Sequence, residues 1–218
     1  METNVEEKPK RERFGPQTLG EEIGNSITHG LMFAAGVVFL ILLLIKSDQT
    51  VEYVASAIFG ASMMMLYLMS CLFHSFKNDT TVKNVFQRFD HLSIYLLIGG
   101  TFAPLLLCVV KWPLGLVFFI VQWVLIFIGV VLKAINTQKH HKVHIGLYLA
   151  IGWSGILFVP ELYSVEPMLC YLILAGGLVY SGGILFYIAK WKFAHFIWHF
   201  FCIGGTFLHF LAIYLYVL

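Results

Sequence analysis

Seven stretches of the chain are apolar for long enough to cross the ~30 Å hydrocarbon core of a bilayer. They lie near residues 24–45, 52–74, 90–110, 113–133, 143–161, 168–189 and 194–217. The connections between them are short, and the longest, about 75–89, is polar and basic. The pattern predicts an all-α integral membrane protein of seven transmembrane helices. Pro104 is expected to kink the third span, whereas Pro113 and Pro167 sit where spans begin. Gly-Gly pairs at 99–100, 176–177, 182–183 and 204–205 are expected to let helices approach closely.

Composition agrees with this reading. Of the 218 residues 59% are hydrophobic and 12% charged, against about 25% charged in soluble domains; mean hydropathy is +0.83. So little chain is left for an aqueous unit that one seven-span domain is expected over 21–218, behind a short cytosolic tail at 1–20. That tail mixes Lys, Arg and Glu and has no apolar core, so no cleavable signal peptide is expected. A net charge of +2 gives no reason to expect a nucleic-acid partner. Cys71, Cys108, Cys170 and Cys202 are scattered within apolar runs and read as small hydrophobes rather than disulfides or thiolate ligands.

Positive charges set a direction. Twelve of the fourteen Lys and Arg fall in the tail (Lys8, Lys10, Arg11, Arg13) or after span two (Lys77, Lys83, Arg88), span four (Lys133, Lys139, Lys142) and span six (Lys190, Lys192). Lys46 and Lys111 alone lie on the other side. The positive-inside rule then places the N-terminus in the cytosol and the C-terminus outside, opposite to a G-protein-coupled receptor. No Lys is expected at mid-span, which excludes a retinal Schiff base.

Ionisable groups inside a membrane are costly, so each needs a reason. Glu22, Asn25 and His29 form one stripe at the start of span one. Ser70 and His74 lie four apart at the end of span two, Asp90 and His91 open span three, and His195 and His199 open span seven. On a helix the last two imidazoles share a face ~6 Å apart along the axis. His74 lies three residues before Lys77, Asp90 two after Arg88 and His195 three after Lys192. At ~1.5 Å per residue each is within about 5 Å of a cytosolic marker, and His199 and Ser70 lie one turn deeper. Polar groups from four helices therefore share one layer.

The chemistry that fits is a zinc site with His74, His195 and His199 as ligands and a water in the fourth position, the open pattern of catalytic zinc. Asp90 would hold that water or act as general base, and Ser70 would steady an oxyanion or support the site. Zinc brings the pKa of its water to roughly 7, beside the acyl chains where lipid amides and esters sit. His91, His140, His141 and His144 read as packing or interfacial residues. His209 shares the face of His195 but lies ~21 Å further along the helix, so it cannot reach the same ion; it lines an external cavity or packs with aromatic residues. Glu22, Asn25 and His29 form a second polar cluster or cap span one.

At these residues the chain resembles a known family. Glu22-Ile-Gly-Asn25-Ser-Ile-Thr28-His29-Gly30, Ser70-Cys-Leu-Phe-His74, Asp90-His91 and His195-Phe-Ile-Trp-His199 are similar to the motifs of the hemolysin III family. That family is the bacterial branch of the progestin and adipoQ receptors, related to the alkaline ceramidases. The resemblance covers roughly residues 20–218. It implies zinc bound by His74, His195 and His199 with Ser70 and Asp90 close by, hydrolysis of lipid amides, and a multi-pass protein of the bacterial plasma membrane. Three functions follow as alternatives. The first is a zinc hydrolase whose lipid substrate enters laterally from the cytosolic leaflet. The second is a receptor or regulator with structural metal, and the third a cytolytic pore former, against which the apolar character of the spans speaks.

Overall fold

The computed structural model describes residues 17–135 and 141–218. Most of the tail, with Lys8, Lys10, Arg11 and Arg13, lies outside the described residues, as do Lys139 and His140. The regular elements described are all helical: α1 (Leu19–Lys46), α2 (Thr50–Ser75), α3 (Thr81–Pro104), α4 (Leu114–Ile135), α5 (His141–Trp153), α6 (Val159–Val165), α7 (Pro167–Ile188) and α8 (Ala194–Tyr216). Among the described residues there are seven membrane-length apolar helices, because α5, a 3₁₀ turn at Ser154–Phe158 and α6 together make the fifth span. The all-α seven-span architecture is therefore present.

Local chemistry fixes the ends. Thr18 caps α1 through a reciprocal box: its hydroxyl accepts from Glu21 N at 3.4 Å, and the Glu21 carboxylate accepts from Thr18 N at 2.9 Å. Pro167 occupies the first turn of α7, and Pro113 stands immediately before α4. Pro104 ends regular α-helix in span three, and the chain passes straight into a π-helical turn at Leu105–Val109. A proline that cannot donate and crowds the preceding turn explains that widening.

Span three departs most from expectation. It begins at Thr81, nine residues before 90, so the expected 75–89 loop shrinks to a few residues and Lys83 and Arg88 belong to the helix. Thr80 caps it, its hydroxyl accepting from Lys83 N at 3.3 Å. Hydropathy marks this polar turn as loop because it cannot anticipate that Lys83 finds a carboxylate inside the bundle. The fifth span likewise runs on past 161 to Val165.

α3 is the most buried span and α4 and α1 are peripheral, with Ile23, Leu31, Val38, Ile120 and Phe127 among their outward residues. One apolar cluster joins α1, α2 and α8 through Met32, Phe59, Met63, Phe210 and Ile213. A second joins α3, α6 and α7 through Phe102, Leu162 and Leu169, and a third seats Tyr95 against Ile126 and Ile151. The cysteines are free; Cys170 and Cys202 are buried, Cys71 and Cys108 half-buried. Glycine permits the closest approaches, as expected from the pairs: a Cβ at Gly99 would strike Ile126, and one at Gly129 would lie 2.6 Å from the Tyr95 ring.

Gly129→Val is therefore expected to cost about 1–3 kcal/mol, read as a lowered melting temperature in detergent. Gly146→Val, where no atom lies within 4 Å of the added carbon, is the comparison. Equal melting temperatures for the two would contradict the packing described.

Candidate metal centre

The polar residues gather at the end of the bundle where α1, α3, α5 and α8 begin and α2, α4 and α7 finish. His74 stands in the last turn of α2, 3% exposed, and His199, 1% exposed, one turn into α8 beyond His195. Their rings close a triangle. Centroids are 5.2 Å apart for His74–His195, 5.1 Å for His74–His199 and 4.9 Å for His195–His199. One nitrogen from each lies within 4.8 Å of the other two. The predicted convergence of α2 and α8 is thus present, and the group can hold a metal ion.

The ring tautomers support that capacity. His74 Nδ1 lies 2.7 Å from Glu22 Oε2. An ionised carboxylate only accepts, so Nδ1 carries the proton and Nε2 keeps its lone pair. That Nε2 is buried and has no hydrogen-bond partner among the described residues, as a ligand atom would. Glu22 is fixed in turn by Lys83, whose Nζ donates to Oε1 at 2.7 Å and lies 4.8 Å over the Phe73 ring.

His199 is oriented from the same helix. Its Nδ1 lies 3.3 Å from Thr28 Oγ1. The single hydroxyl proton of Thr28 goes to the Gly24 or Asn25 carbonyl, at 2.9 and 3.0 Å. The oxygen therefore accepts from Nδ1–H, which leaves Nε2 of His199 for a metal. α1 also sets the start of α8. Phe193 caps that helix in the left-handed region, at φ 65°, which is strained for a bulky side chain. Its N–H donates to Glu21 Oε1 at 2.6 Å. α1, which supplies none of these three imidazoles, thus orients two of them, His74 and His199, and the start of the helix that carries His195 and His199.

The second polar cluster is therefore part of this centre. Asn25 is fully buried and donates to Gln17 Oε1 at 2.8 Å. His29 lies flat on His199, centroids 3.5 Å apart and planes within 8°, and neither of its nitrogens has a partner among the described residues.

Ser70 and Asp90 stand on the wall of a cavity of about 20 Å³ that His29, His91, His195 and His199 also line. His91, expected as a packing residue, belongs to this wall, and its Nε2 is 3.9 Å from Asp90 Oδ2. Lys133, expected as an interfacial charge, is instead 1% exposed and within electrostatic reach of Asp90. The bilayer-facing length of α4 hides this: a lysine at a helix end reads as a marker of the interface whichever way it points. His144 does pack, with Tyr95 Oη 2.8 Å from its Nδ1. Leu66, Ile94, Tyr187, Trp198 and Cys202 are common to this small cavity and to an apolar one of about 120 Å³ between α3, α5, α7 and α8. His209 lines that larger cavity.

Thr28, Lys83, Glu21 and Lys133 carry no functional assignment in the sequence reading. Thr28 and Glu21 carry a signal, since Thr28 lies within the Glu22–His29 stretch and Glu21 immediately precedes it. Nothing in the linear pattern points to the left-handed Phe193 or to the Lys83–Glu22 pair, which joins residues 61 apart.

The sequence matches the family described as "Haemolysin-III related" over residues 17–210. It is 39% identical over 196 residues to the Hemolysin-3 homolog of Bacillus subtilis (strain 168), covering 87% of this chain and 91% of the relative. It is 37% identical over 207 residues to Hemolysin-3 of Bacillus cereus, covering 93% and 94%. The human monocyte to macrophage differentiation factor is 28% identical over 215 residues, 96% of this chain and 89% of the relative.

If Glu22 sets the His74 tautomer, Glu22→Ala lowers divalent-metal affinity about 10–100-fold, measured by chelator competition on purified protein. Because that change strands Lys83, Glu22→Ala with Lys83→Met serves as the folded partner variant. Thr28→Val shifts affinity the same way by less, and Ser26→Ala, whose hydroxyl meets Ser75 and Cys71 rather than a ligand ring, leaves it unchanged. Wild-type affinity in both Glu22 variants would refute the orientation described.

Proposed function

The chain belongs to the haemolysin-III-related family, and on that premise we propose that it is a membrane zinc hydrolase that cleaves an amide or ester bond of a lipid. The observation that carries this reading is the junction of two features: three converging imidazoles, two of which, His74 and His199, are held in the metal-ligating tautomer, and an apolar cavity leading from them into the bundle. Three neutral imidazoles suit zinc among divalent cations. Tetrahedral Zn–N bonds of 2.0–2.1 Å put ligand nitrogens ~3.4 Å apart, and ordinary side-chain rotation brings atoms within 4.8 Å of one another to that spacing.

His74, His195 and His199 would hold the ion, which when bound would supply Lewis acidity for an acyl carbonyl and acidify water. The protein's own groups do the rest. The Asp90 carboxylate takes a proton from the attacking water and returns it to the leaving nitrogen or oxygen as the acyl C–N or C–O bond breaks. The Ser70 hydroxyl donates toward the acyl oxygen or steadies Asp90, and the buried Lys133 ammonium stands within electrostatic reach of that carboxylate. The apolar cavity takes the acyl chain. α5 makes few contacts with α7, so a lipid enters laterally between them.

The distribution of positive charges supports a cytosolic-leaflet location for this end of the bundle, with the N-terminus inside and the C-terminus outside. The two Bacillus relatives support a bacterial plasma membrane as the location. A second reading, a receptor or regulator with structural metal, is favoured by the tightness of the metal-side cavity, about 20 Å³. It requires the Asp90 carboxylate itself to close the fourth position. The name of the Bacillus cereus relative motivates a third, cytolysis, which demands release of dye from liposomes on external addition.

Incubation of zinc-loaded protein with short-chain ceramides and other acyl amides is the test. Turnover is expected from wild type, and Asp90→Asn is expected to keep the metal while losing about 10²–10⁴ of kcat. Metal-replete wild type that releases no fatty acid from any acyl amide or ester would overturn the hydrolase and leave the structural-metal reading. Asp90→Asn at full activity would remove the proposed base.

A further inference from the structure

His209 is a buried polar side chain with no role in the metal centre. It lies on α8 ten residues beyond His199, ~15 Å along the axis, and is 8% exposed. Its Nε2 is 3.1 Å from the carbonyl oxygen of Ile173 on α7. A carbonyl only accepts, so Nε2 carries the proton and Nδ1 of the neutral ring is an acceptor. That Nδ1 is buried and has no hydrogen-bond partner among the described residues. Buried acceptors left in this state are rare, because the desolvation loss is not recovered.

The surroundings are built to keep the ring in place. A Cβ at Gly176 would collide with the Nε2–Cδ2 edge, so only glycine lets α7 close onto this histidine. Tyr180 packs beside it with centroids 5.7 Å apart, and donation to Ile173 fixes the ring's rotation. Two cavities meet here. The larger, about 120 Å³, runs back to the metal centre; the smaller, about 40 Å³, continues toward Leu162 and Val159. Thr101, Phe102, Gly152, Trp153, Gly177 and His209 border both. The Thr101 hydroxyl donates to Leu97 O at 2.9 Å and so has a partner, and the Trp153 indole donates to Ser181 Oγ at 3.0 Å. Of these lining residues, His209 is the one whose buried acceptor has no hydrogen-bond partner among the described residues.

We propose that His209 Nδ1 is a specificity contact for a lipid whose chain carries a hydroxyl, or another single hydrogen-bond donor, well away from the end held at the metal centre. This rests on the reading of the apolar cavity as an acyl-chain site and names the ligand class within it. The donor satisfies an otherwise unpaired acceptor, while the apolar walls take the methylenes on either side. A plain chain fits the same walls but leaves Nδ1 unpaired, so the site discriminates between chains of equal length.

Binding of stearate and of stearate hydroxylated at mid-chain to the full-length protein in nanodiscs separates the possibilities. One hydrogen bond predicts about fivefold to tenfold tighter binding of the hydroxylated chain by wild type. His209→Leu is expected to bind both chains equally, with plain stearate held as by wild type. His209→Gln, which keeps an acceptor, retains part of the preference and guards against a folding defect in the leucine variant. Equal binding of the two chains by wild type, or a preference that survives His209→Leu, would overturn the assignment while leaving the acyl-chain cavity standing. Failure of either chain to bind would overturn both.

Discussion

Burying an imidazole in a membrane is costly unless its ring nitrogens have partners, and the geometry around His74 and His199 turns on that constraint. In hydrocarbon an unpaired polar group costs several kcal/mol. His74 and His199 meet the demand by splitting their nitrogens: Nδ1 is tied to α1, through Glu22 and Thr28, and Nε2 is turned toward the shared centre. The arrangement is incomplete as protein alone, since Nε2 of His74 is buried without a partner among the described residues. A bound cation would satisfy it.

The division of labour among helices follows. α2 and α8 supply the nitrogens and α3 supplies Asp90, while α1 contributes orientation. Glu21 holds the strained backbone of Phe193 and so fixes where α8 begins, and Glu22 couples His74 to Lys83. The Lys83–Glu22–His74 chain also explains why a basic residue is drawn into the bundle and why α3 starts a turn or more before its hydropathy rises. Charge that reads as an interfacial marker in the linear pattern is in two cases, Lys83 and Lys133, part of the interior.

Much of this is legible in the sequence because membrane physics makes the code simple. Runs of ~20 apolar residues must be helices, and helices of fixed rise turn residue number into depth. Hence His74, His195, His199, Asp90 and Ser70 can be assigned to one layer before any coordinates exist. What the pattern lacks is azimuth. Whether Lys133 points outward or toward Asp90, whether Glu22 faces His74, and whether His29 lies on His199 depend on how neighbouring helices are rotated. The π turn after Pro104, the 3₁₀ break at Ser154–Phe158 and the left-handed Phe193 are tertiary adjustments with no sequence period of their own.

X-ray absorption at the metal edge of purified, metal-replete protein tests the central claim most directly. The account predicts one zinc per chain with three imidazole nitrogens at about 2.0–2.1 Å and a light oxygen scatterer beyond them. Protein that holds no stoichiometric metal, or a shell without imidazole scattering, would contradict it.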